Sequence, residues 1–266
     1  MNILVCVKQV PDTTEIRIDP VTNTLIRAGV PSIVNPFDAY ALEIAARIKD
    51  VTPDTKITLL SMGPPQAAAA LKECLAVGGD QAFLVSDRAF GGADTLATSY
   101  TLKYAIDKLE ALHGAFDLIF CGKQAIDGDT AQVGPEIAEH MDCPQITYGV
   151  EARVEGNEVF VKRETREGYE ILAAKLPCVI TVTKPSFNPR YPTIKSKMAA
   201  NRAAITTLTA NDISVDSTRI GLKGSPTKVK KSFTPPQKQG GVIISEETCE
   251  ASAGRLFELL NTANVI

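Results

Sequence analysis

The first half of the chain alternates short runs of apolar residues with longer segments in which apolar side chains recur every three or four positions. The short runs predict β-strands and the longer segments predict amphipathic α-helices. Strands that alternate with helices build a mostly parallel sheet covered on both faces. The pattern therefore predicts an open α/β fold, with strands at residues 3–7, 56–61, 82–85 and 118–121.

Four helices are predicted in the same half of the chain. The first begins at Asn35, an N-cap residue followed by Pro36 at the first helical position and Asp38 in the first turn. The fourth is expected to begin at Asp129, because Asp129 and Gln132 have the spacing of a capping box. The second and third helices are predicted at residues 66–77 and about 94–112.

Beyond residue 150 the pattern changes to that of an antiparallel section. Glu155-Gly156-Asn157 is typical of a hairpin turn between strands at residues 150–154 and 158–163. Two more strands are predicted at residues 170–174 and 178–183. These strands are expected to extend the parallel sheet.

Residues 185–239 are rich in Pro, Lys, Ser and Thr, and this stretch is long for structureless chain inside a compact domain. We expect it to wrap around a partner rather than pack on its own fold. A closing amphipathic helix carries Leu256, Phe257 and Leu260. The predicted organisation is an α/β domain over residues 1–185, an extended arm over 186–240 and a C-terminal helical segment over 241–266.

Composition narrows the class of protein. The net charge of −3 gives no electrostatic reason to bind nucleic acid or an anionic membrane. No apolar run approaches the ~18 residues of a membrane span, and the first residues lack the features of a signal peptide. Six cysteines without a CxxC pair are expected to be reduced thiols of a cytoplasmic protein. Two histidines, His113 and His140, give little support to a zinc site or a histidine-based triad.

The loop after the fourth predicted strand contains Gly122 and Gly128 and leads into the fourth helix. Ligands of open parallel sheets bind outside the carboxyl ends of the strands, where a helix N-terminus suits a phosphate. Thr130 adds a hydroxyl, whereas the carboxylates of Asp127 and Asp129 are expected to cap backbone groups or hold sugar hydroxyls. The alternative is an ordinary strand–loop–helix turn, since neither GxxxxGK[ST] nor GxGxxG is present.

A second loop follows the strand at residues 82–85 and opens on the same edge of the sheet. Gly91 and Gly92 allow close approach of the backbone to a ligand, and Arg88 offers a positive charge. Asp94 is expected to cap the next helix. The alternative is a flexible turn with an N-cap. Two hydroxyl side chains would face the site: Thr95 and Thr98.

The third candidate segment pairs Cys6-Val7-Lys8-Gln9 with Asn35-Pro36-Phe37-Asp38. Alone, Lys8 is an exposed lysine and Asn35 is a helix cap. Convergence of several polar loops on one end of the sheet favours a binding site. No nucleophile–base pair stands out, which suits a protein whose chemistry belongs to a bound cofactor.

Seven motifs together resemble a known family over about the whole chain. They are, in order, Leu4-Val5-Cys6-Val7-Lys8, Asn35-Pro36-Phe37, Ser61-Met62-Gly63-Pro64, Gly122-Lys123-Gln124-Ala125-Ile126-Asp127, Val161-x-Arg163, Glu167-Gly168-x-Glu170-x-Leu172 and Pro177-x-Val179-Ile180-Thr181. The family is that of the electron-transferring flavoprotein β subunits. One position departs from the family pattern, because Arg166 stands where an acid is expected.

The resemblance implies a heterodimer with an α subunit and an adenine-nucleotide site on this chain. In ordinary members that site holds AMP as a structural ligand, and the redox-active FAD lies mostly on the α subunit. In electron-bifurcating members it holds a second FAD that takes a hydride from NADH. One electron then passes to ferredoxin or flavodoxin, and the other passes through the α-subunit FAD to an acyl-CoA dehydrogenase.

The loop at residues 87–95 resembles the segment by which bifurcating members hold the ribityl and pyrophosphate of the extra FAD. The resemblance therefore favours bifurcation, with a structural AMP subunit as the alternative. The residues expected to contact the cofactor are Cys6, Lys8, Asn35, Phe37, Asp38, Met62, Asp87, Arg88, Ala89, Gly91, Gly92, Asp94, Thr95, Thr98, Gly122, Lys123, Gln124, Ala125, Asp127, Gly128, Asp129, Thr130, Ala131, Gln132 and Val133.

Residues 188–198 resemble the family's dehydrogenase-recognition loop. Ile194 would be the apolar anchor, with basic neighbours that aid orientation, and the closing helix would pack on the α subunit. The alternative is a surface loop that leads into a helix. The residues expected to contact a partner are Arg190, Tyr191, Ile194, Lys195, Lys197 and Met198.

Two other classes share the predicted sheet. A universal-stress-type nucleotide sensor would be shorter and would lack the recognition loop and the C-terminal arm. An ATP-cleaving ligase of the pyrophosphatase type would need Ser-Gly-Gly-x-Asp after the first strand, where this chain has Lys8-Gln9-Val10-Pro11-Asp12. Both are therefore disfavoured.

Overall fold

The computed structural model describes residues 1–12, 31–230 and 240–266. These residues fall into two compact units, one formed by residues 1–12 with 31–230 and the other by residues 240–266. No helix in the described ranges is long and apolar enough to cross a membrane. The strands described below all belong to the larger unit, and the smaller unit contains one helix.

The larger unit is built around a set of short strands. Their bounds are β1 Asn2–Cys6, β2 Gln9–Pro11, β3 Ser32–Val34, β4 Lys56–Met62, β5 Gln81–Val85, β6 Leu118–Gly122, β7 Gln145–Glu155, β8 Glu158–Glu164, β9 Tyr169–Lys175, β10 Cys178–Val182 and β11 Thr206–Leu208. Nine of them form one sheet in the order β11-β5-β4-β1-β6-β10-β7-β8-β9, and β2 pairs with β3 separately.

Neighbouring strands of the large sheet run parallel from β11 to β7. Only the β7–β8 and β8–β9 pairs of this sheet are antiparallel. Glu155 pairs with Glu158 across the turn, and Gly156 has a φ of 60°, a left-handed conformation that favours glycine. The predicted hairpin and the open, mostly parallel sheet are confirmed.

The helices cover both faces of the sheet. Their bounds are α1 Pro36–Val51, α2 Ala68–Val77, α3 Thr95–His113, α4 Val133–His140, α5 Ile194–Arg202 and α6 Cys249–Thr262. Alternate residues of β1 serve two cores: Ile3 and Val5 pack with α1 and α2, whereas Leu4 packs with α3 and α4. This division explains the nearly continuous apolar runs of the central strands, since both faces are buried.

The predicted start of the third helix is confirmed and that of the fourth is wrong. Asp94 is the N-cap of α3, and its Oδ1 accepts a hydrogen bond from the Ala97 amide at 3.1 Å. Helix α4 begins at Val133 instead of at Asp129. Asp129 and Ala131 have φ values of 52° and 53°, which no right-handed helix admits, so the capping box does not form.

Part of the stretch at residues 185–239 packs on the larger unit, against expectation. Helix α5 lies within it, and β11 adds a parallel strand beside β5. Leu208, Ile213 and Ile220 are buried in the same core as α3 and α4. Because the stretch is rich in Pro, Lys and Ser, its composition did not predict that these apolar side chains are buried against the sheet. Residues 231–239 lie outside the described residues, and contact of this stretch with a partner stays a prediction.

Candidate functional site

The candidate site lies at the carboxyl ends of β1 and β6. These strands are neighbours in the sheet, yet the chain passes from β1 to β4 on one side before it returns to β6 on the other. Such a reversal of strand order opens a crevice beyond the strand ends, where α/β proteins bind ligands. The loops after β1 and β6 and the start of α1 therefore border one crevice.

Asp38 joins these three segments. Its carboxylate accepts hydrogen bonds from the Lys8 amide at 2.7 Å, the Asn35 Nδ2 at 2.9 Å and the Gly122 amide at 3.1 Å. The residue is 6% exposed. Burial raises the pKa of Asp38 to about 7, although the three donors favour the charged form. Asp38 thus organises the floor of the crevice through bonds within the chain.

Asn35 is the N-cap residue of α1, and its side chain connects the start of this helix to the loop after β6. No hydrogen bond caps α1 from the Asn35 side chain. Its Nδ2 donates to the Gln124 carbonyl at 2.8 Å, and its Oδ1 accepts from the Ile126 amide at 3.2 Å. The predicted N-cap position of Asn35 is confirmed, but its side chain bonds to a distant loop and not to a backbone amide of its own helix.

Gly122 is required by the close approach of the β6 loop to α1. A Cβ atom at this position would lie 2.7 Å from the Phe37 Cβ and 2.8 Å from the Phe37 carbonyl carbon, and would overlap the Asp38 carboxylate. In contrast, a Cβ at Gly128 would meet nothing within 4 Å. Only the first of the two loop glycines is therefore needed for packing.

Two polar side-chain pairs shape the loop after β6. Lys8 Nζ lies 2.7 Å from Asp127 Oδ1, and Gln124 Nε2 donates to Asp129 Oδ1 at 2.6 Å. Asp127 and Asp129 thus bind side chains of the crevice, and among the described residues neither carboxylate accepts from a backbone amide. Lys123 lies 6.0 Å from the Phe37 ring centroid. The pairing of Lys8 with Asp127 closes the loop toward the end of β1.

The turn into α4 is suited to an anion. Ala131 is left-handed and Gln132 right-handed, a succession that directs consecutive N–H groups into one concavity. Within the described residues, the amides of residues 130–134 have no hydrogen-bond acceptor. They also lie at the N-terminus of α4, where the helix dipole favours negative charge. The donor set therefore fits a phosphate of a nucleotide cofactor.

The second loop is fixed by residues far along the chain. Asp87 accepts hydrogen bonds from the amides of Ala89 at 3.0 Å and Ala210 at 3.1 Å. Asp94 Oδ2 accepts from the hydroxyl of Thr227 at 2.9 Å. Gly92 has a φ of 72°, so this turn favours glycine. The carboxylates of this loop hold its shape, while Arg88 is exposed.

The two loops meet through α3 and α4, which pack side by side. The Thr95 hydroxyl lies 2.9 Å from Gln132 Oε1 and 3.2 Å from Glu136 Oε1. Thr98 is partly buried one turn further along α3. Glu136 was missed by sequence reasoning, because its position depends on a helix contact that no local pattern encodes.

Cys6 and Met62 lie at the ends of β1 and β4. Cys6 is 9% exposed and belongs to the core beneath α3 and α4. The pKa of the neighbouring Cys121 thiol is raised, first by a hydrogen bond with Cys6 and then by burial. Both thiols are buried in this core, and contact of Cys6 or Met62 with a nucleotide stays a prediction.

The expected docking loop combines an anchored start with an exposed apolar end. Arg190 donates to Glu43 Oε2 at 2.9 Å and to Asp50 Oδ2 at 2.7 Å. Burial disfavours the charged form of Glu43, but the bonds from Arg190 and Arg47 outweigh it and lower the pKa. Tyr191 is 91% and Ile194 is 83% exposed.

The guanidinium of Arg190 thus serves the chain's own α1. The other expected contact residues, Lys195, Lys197 and Met198, are exposed. Whether any of them meets a partner stays a prediction.

An open depression of about 330 Å³ lies beside the first turns of α3, outside the predicted loops. Leu96 and Tyr100 form its apolar side, and Arg219 and Lys223 supply positive charge. The Arg219 guanidinium carbon lies 4.1 Å from the centroid of the Tyr100 ring, so part of that charge is engaged by the aromatic face.

Comparison with known proteins places this geometry in a family context. The family model described as electron transfer flavoprotein domain matches residues 22–213. The chain is 57% identical over 270 residues to the electron transfer flavoprotein subunit beta of Megasphaera elsdenii, covering all of both chains.

It is 48% identical over 266 residues to the caffeyl-CoA reductase-Etf complex subunit CarD of Acetobacterium woodii, again over all of both chains. It is 45% identical over 264 residues to protein FixA of Bradyrhizobium diazoefficiens, covering 98% of this chain and 91% of the relative.

Proposed function

Because the chain belongs to the electron transfer flavoprotein family, as a β subunit that acts in electron transfer with an α subunit, we propose that it binds FAD and bifurcates electrons. A flavin bound in the crevice would accept a hydride from NADH and release its two electrons singly, one to ferredoxin or flavodoxin and one through the α-subunit FAD to an acyl-CoA dehydrogenase. The chain itself contributes binding, orientation and electrostatics.

This proposal rests on the contact between the loop at residues 87–95 and the loop that leads into α4. A mononucleotide needs only the crevice between β1 and β6 and the amides of residues 130–134. The contact of the Thr95 hydroxyl with Gln132, at 2.9 Å, joins the loop at residues 87–95 to the same crevice. A cofactor that extends beyond one phosphate would use both loops, which favours FAD over AMP.

The parts of the cofactor are assigned by chemistry. We assign the adenosine to the crevice bordered by Asn35 and Phe37, with Asp38 holding the surrounding backbone. The open amides of residues 130–134 would receive the pyrophosphate. Arg88, exposed on the second loop, would add positive charge where the flavin end of the cofactor leaves the crevice.

The proposed partners are supported by the name of one relative and by the exposed residues of this chain. One relative carries a name that includes a caffeyl-CoA reductase complex, which supports an acyl-CoA-type dehydrogenase or reductase as the acceptor here. The exposed Ile194 and Met198 would dock on it, with Lys195 and Lys197 guiding orientation. Helix α6, in which no residue is buried, would pack on the α subunit. Six free cysteines support a reducing compartment, the cytoplasm.

The deciding experiment counts nucleotides in the heterodimer. The chain is co-expressed with its α subunit, the purified complex is denatured, and FAD and AMP are quantified by chromatography. Two FAD and no AMP per heterodimer are expected, together with NADH-dependent reduction of ferredoxin. One FAD with one AMP would overturn bifurcation and leave a conventional electron shuttle with a structural nucleotide.

A further inference from the structure

The segment at residues 219–230, which we call the basic strip, is positively charged in a chain whose net charge is −3. It contains no acidic residue and four basic ones: Arg219, Lys223, Lys228 and Lys230. All four are exposed, and none forms an ion pair with another described residue. The three lysine charges can therefore be met by a molecule from outside the chain.

Apolar side chains lie among these charges. Leu222 and Val229 belong to the basic strip and are exposed. Leu96 is exposed as well and borders the open depression beside α3, which the strip also lines. Apolar side chains surrounded by charged ones are the usual composition of a surface that binds another protein. The basic strip thus offers apolar contact in addition to charge.

Two acidic residues border the basic strip, and donors of the chain engage both. Asp216 Oδ1 accepts hydrogen bonds from the amide and the hydroxyl of Thr218, at 2.8 and 2.7 Å. Asp94 Oδ2 accepts from the amide and the hydroxyl of Thr227, at 3.1 and 2.9 Å. Four basic groups outnumber these two carboxylates, so the surface keeps an excess of positive charge.

The basic strip packs on the loop at residues 87–95, where the flavin end of the cofactor leaves the crevice under the proposed function. The Leu222 amide donates to the Gly91 carbonyl at 3.0 Å. The Ser225 hydroxyl accepts a hydrogen bond from the Asp94 amide at 2.8 Å. A protein that binds the strip is consequently held beside this loop.

We propose that the basic strip is the docking surface for an acidic one-electron carrier protein, the ferredoxin or flavodoxin of the proposed function, on which this inference rests. Under that function NADH gives up two electrons and becomes NAD⁺ with release of one proton. One electron passes from the reduced flavin to the carrier at the strip, and the other leaves through the α-subunit FAD. No other oxidant or reductant is needed.

Recognition by charge suits a carrier that must bind and leave at every turnover. Opposite charges on two proteins raise the rate of their association, whereas exposed ion pairs add little to the stability of a complex. Transient redox partners also bury small interfaces, below about 1,200 Å². A short basic strip with a few apolar side chains is sufficient for such an encounter.

The test measures the binding of an oxidised ferredoxin of negative net charge to the intact heterodimer, by isothermal titration calorimetry at low salt. Wild type is compared with Lys223→Gln/Lys228→Gln and with the conservative variant Lys223→Arg/Lys228→Arg. Lys56→Gln/Lys175→Gln is the matched control, because it removes the same charge from exposed positions away from the strip. Lys56 begins β4, and Lys175 ends β9 at the opposite edge of the sheet from β11.

We expect Lys223→Gln/Lys228→Gln to bind ferredoxin at least about tenfold more weakly than wild type. Its binding should also depend less on salt between about 50 and 300 mM, since fewer charge contacts remain to be screened. The arginine variant and the matched control should bind as wild type does. Stopped-flow reduction of the bound flavin by NADH should be equal in all four proteins, since the strip receives the carrier and not the dinucleotide.

Equal ferredoxin binding by wild type and the glutamine variant would overturn the inference. Weaker heterodimer assembly in that variant, seen by gel filtration, would assign the basic strip to the α subunit and would also overturn it. Slower flavin reduction by NADH with unchanged ferredoxin binding would do the same in favour of the dinucleotide. The proposed function fails separately, if NADH reduces no ferredoxin in wild type, and the binding measurement still decides whether the strip receives an acidic carrier.

Discussion

At the scale of single residues, the crevice depends on one glycine and one buried carboxylate that contact each other across 84 positions of sequence. Because Gly122 has no side chain, the loop after β6 can approach the start of α1 closely. The Asp38 carboxylate accepts hydrogen bonds from the backbone amides that lie together there. Neither residue needs to touch a cofactor to be essential. Their effect is to fix the backbone to which a nucleotide would bind.

Replacing Gly122 by Ala is expected to destabilise the protein and weaken nucleotide binding. The added methyl would overlap the Asp38 carboxylate and the backbone of Phe37, and overpacking of this kind costs about 1–3 kcal/mol. Gly128→Ala is the matched control, because a Cβ there meets nothing within 4 Å. Thermal melting and nucleotide content of the heterodimer are measured. Equal behaviour of the two variants would contradict the packing role of Gly122.

Asp38 should make stability depend on pH. Its pKa is raised from 3.8 to about 7 by burial, so the folded state holds a proton that the unfolded chain releases. The stability from this proton is fully present below about pH 4 and is lost as the pH rises through about 7.

The measurement is the free energy of unfolding of wild type relative to Asp38→Asn between pH 4 and 8. We expect the difference to decline toward pH 7 and then to level off. A flat difference would mean that the three N–H donors keep Asp38 ionised throughout this range.

At the scale of elements, the docking segment is a short helix preceded by an anchored loop. Arg190 fastens the loop to Glu43 and Asp50 of α1, while Thr193 caps α5 through a capping box with Ser196. These bonds fix where Ile194 is presented. The exposure of Ile194 is therefore a property of an ordered element.

Arg190→Gln is expected to destabilise the protein by about 1–3 kcal/mol, because the Glu43 side chain is 5% exposed and loses charged donors. Arg47 still pairs with Glu43, which keeps the cost below that of a fully orphaned charge. Lys197→Gln, a change at an exposed position, should alter stability by less than about 0.5 kcal/mol. Denaturant unfolding compares the two, and similar values would argue against the anchoring role.

At the scale of the whole molecule, none of the described residues of the smaller unit, 240–266, is buried. Helix α6 contains no buried residue. Its apolar side chains are exposed as well, Leu256 at 48% and Phe257 at 62%. An apolar helix face in water is costly, and a partner that covers it would recover that free energy. Assembly with the α subunit would therefore give this unit its stability.

Phe257→Asp is expected to weaken assembly of the heterodimer by at least about tenfold, because burying an unpaired charge in an apolar contact costs several kcal/mol. Thr262→Asp adds the same charge on the opposite side of α6 and should assemble normally. Analytical gel filtration of mixed subunits across a dilution series reads out the difference. Loss of assembly in both variants would point to a general effect of charge.

The sequence by itself determined the class of fold. The spacing of apolar residues is a local property, and a strand or helix needs the matching spacing in order to bury one of its faces. It also determined the cap at Asp94, whose partner Ala97 is three residues away. The tertiary structure alone decided the role of Asn35, which bonds to Gln124 at a separation of 89 residues.

The same is true of the left-handed turn before α4, the packing of residues 206–220 on the sheet and the contact of Thr95 with Glu136. Each depends on segments that meet only after the sheet has formed. Local patterns limit which elements can form, but the partners of a buried polar group are set by which elements become neighbours in space.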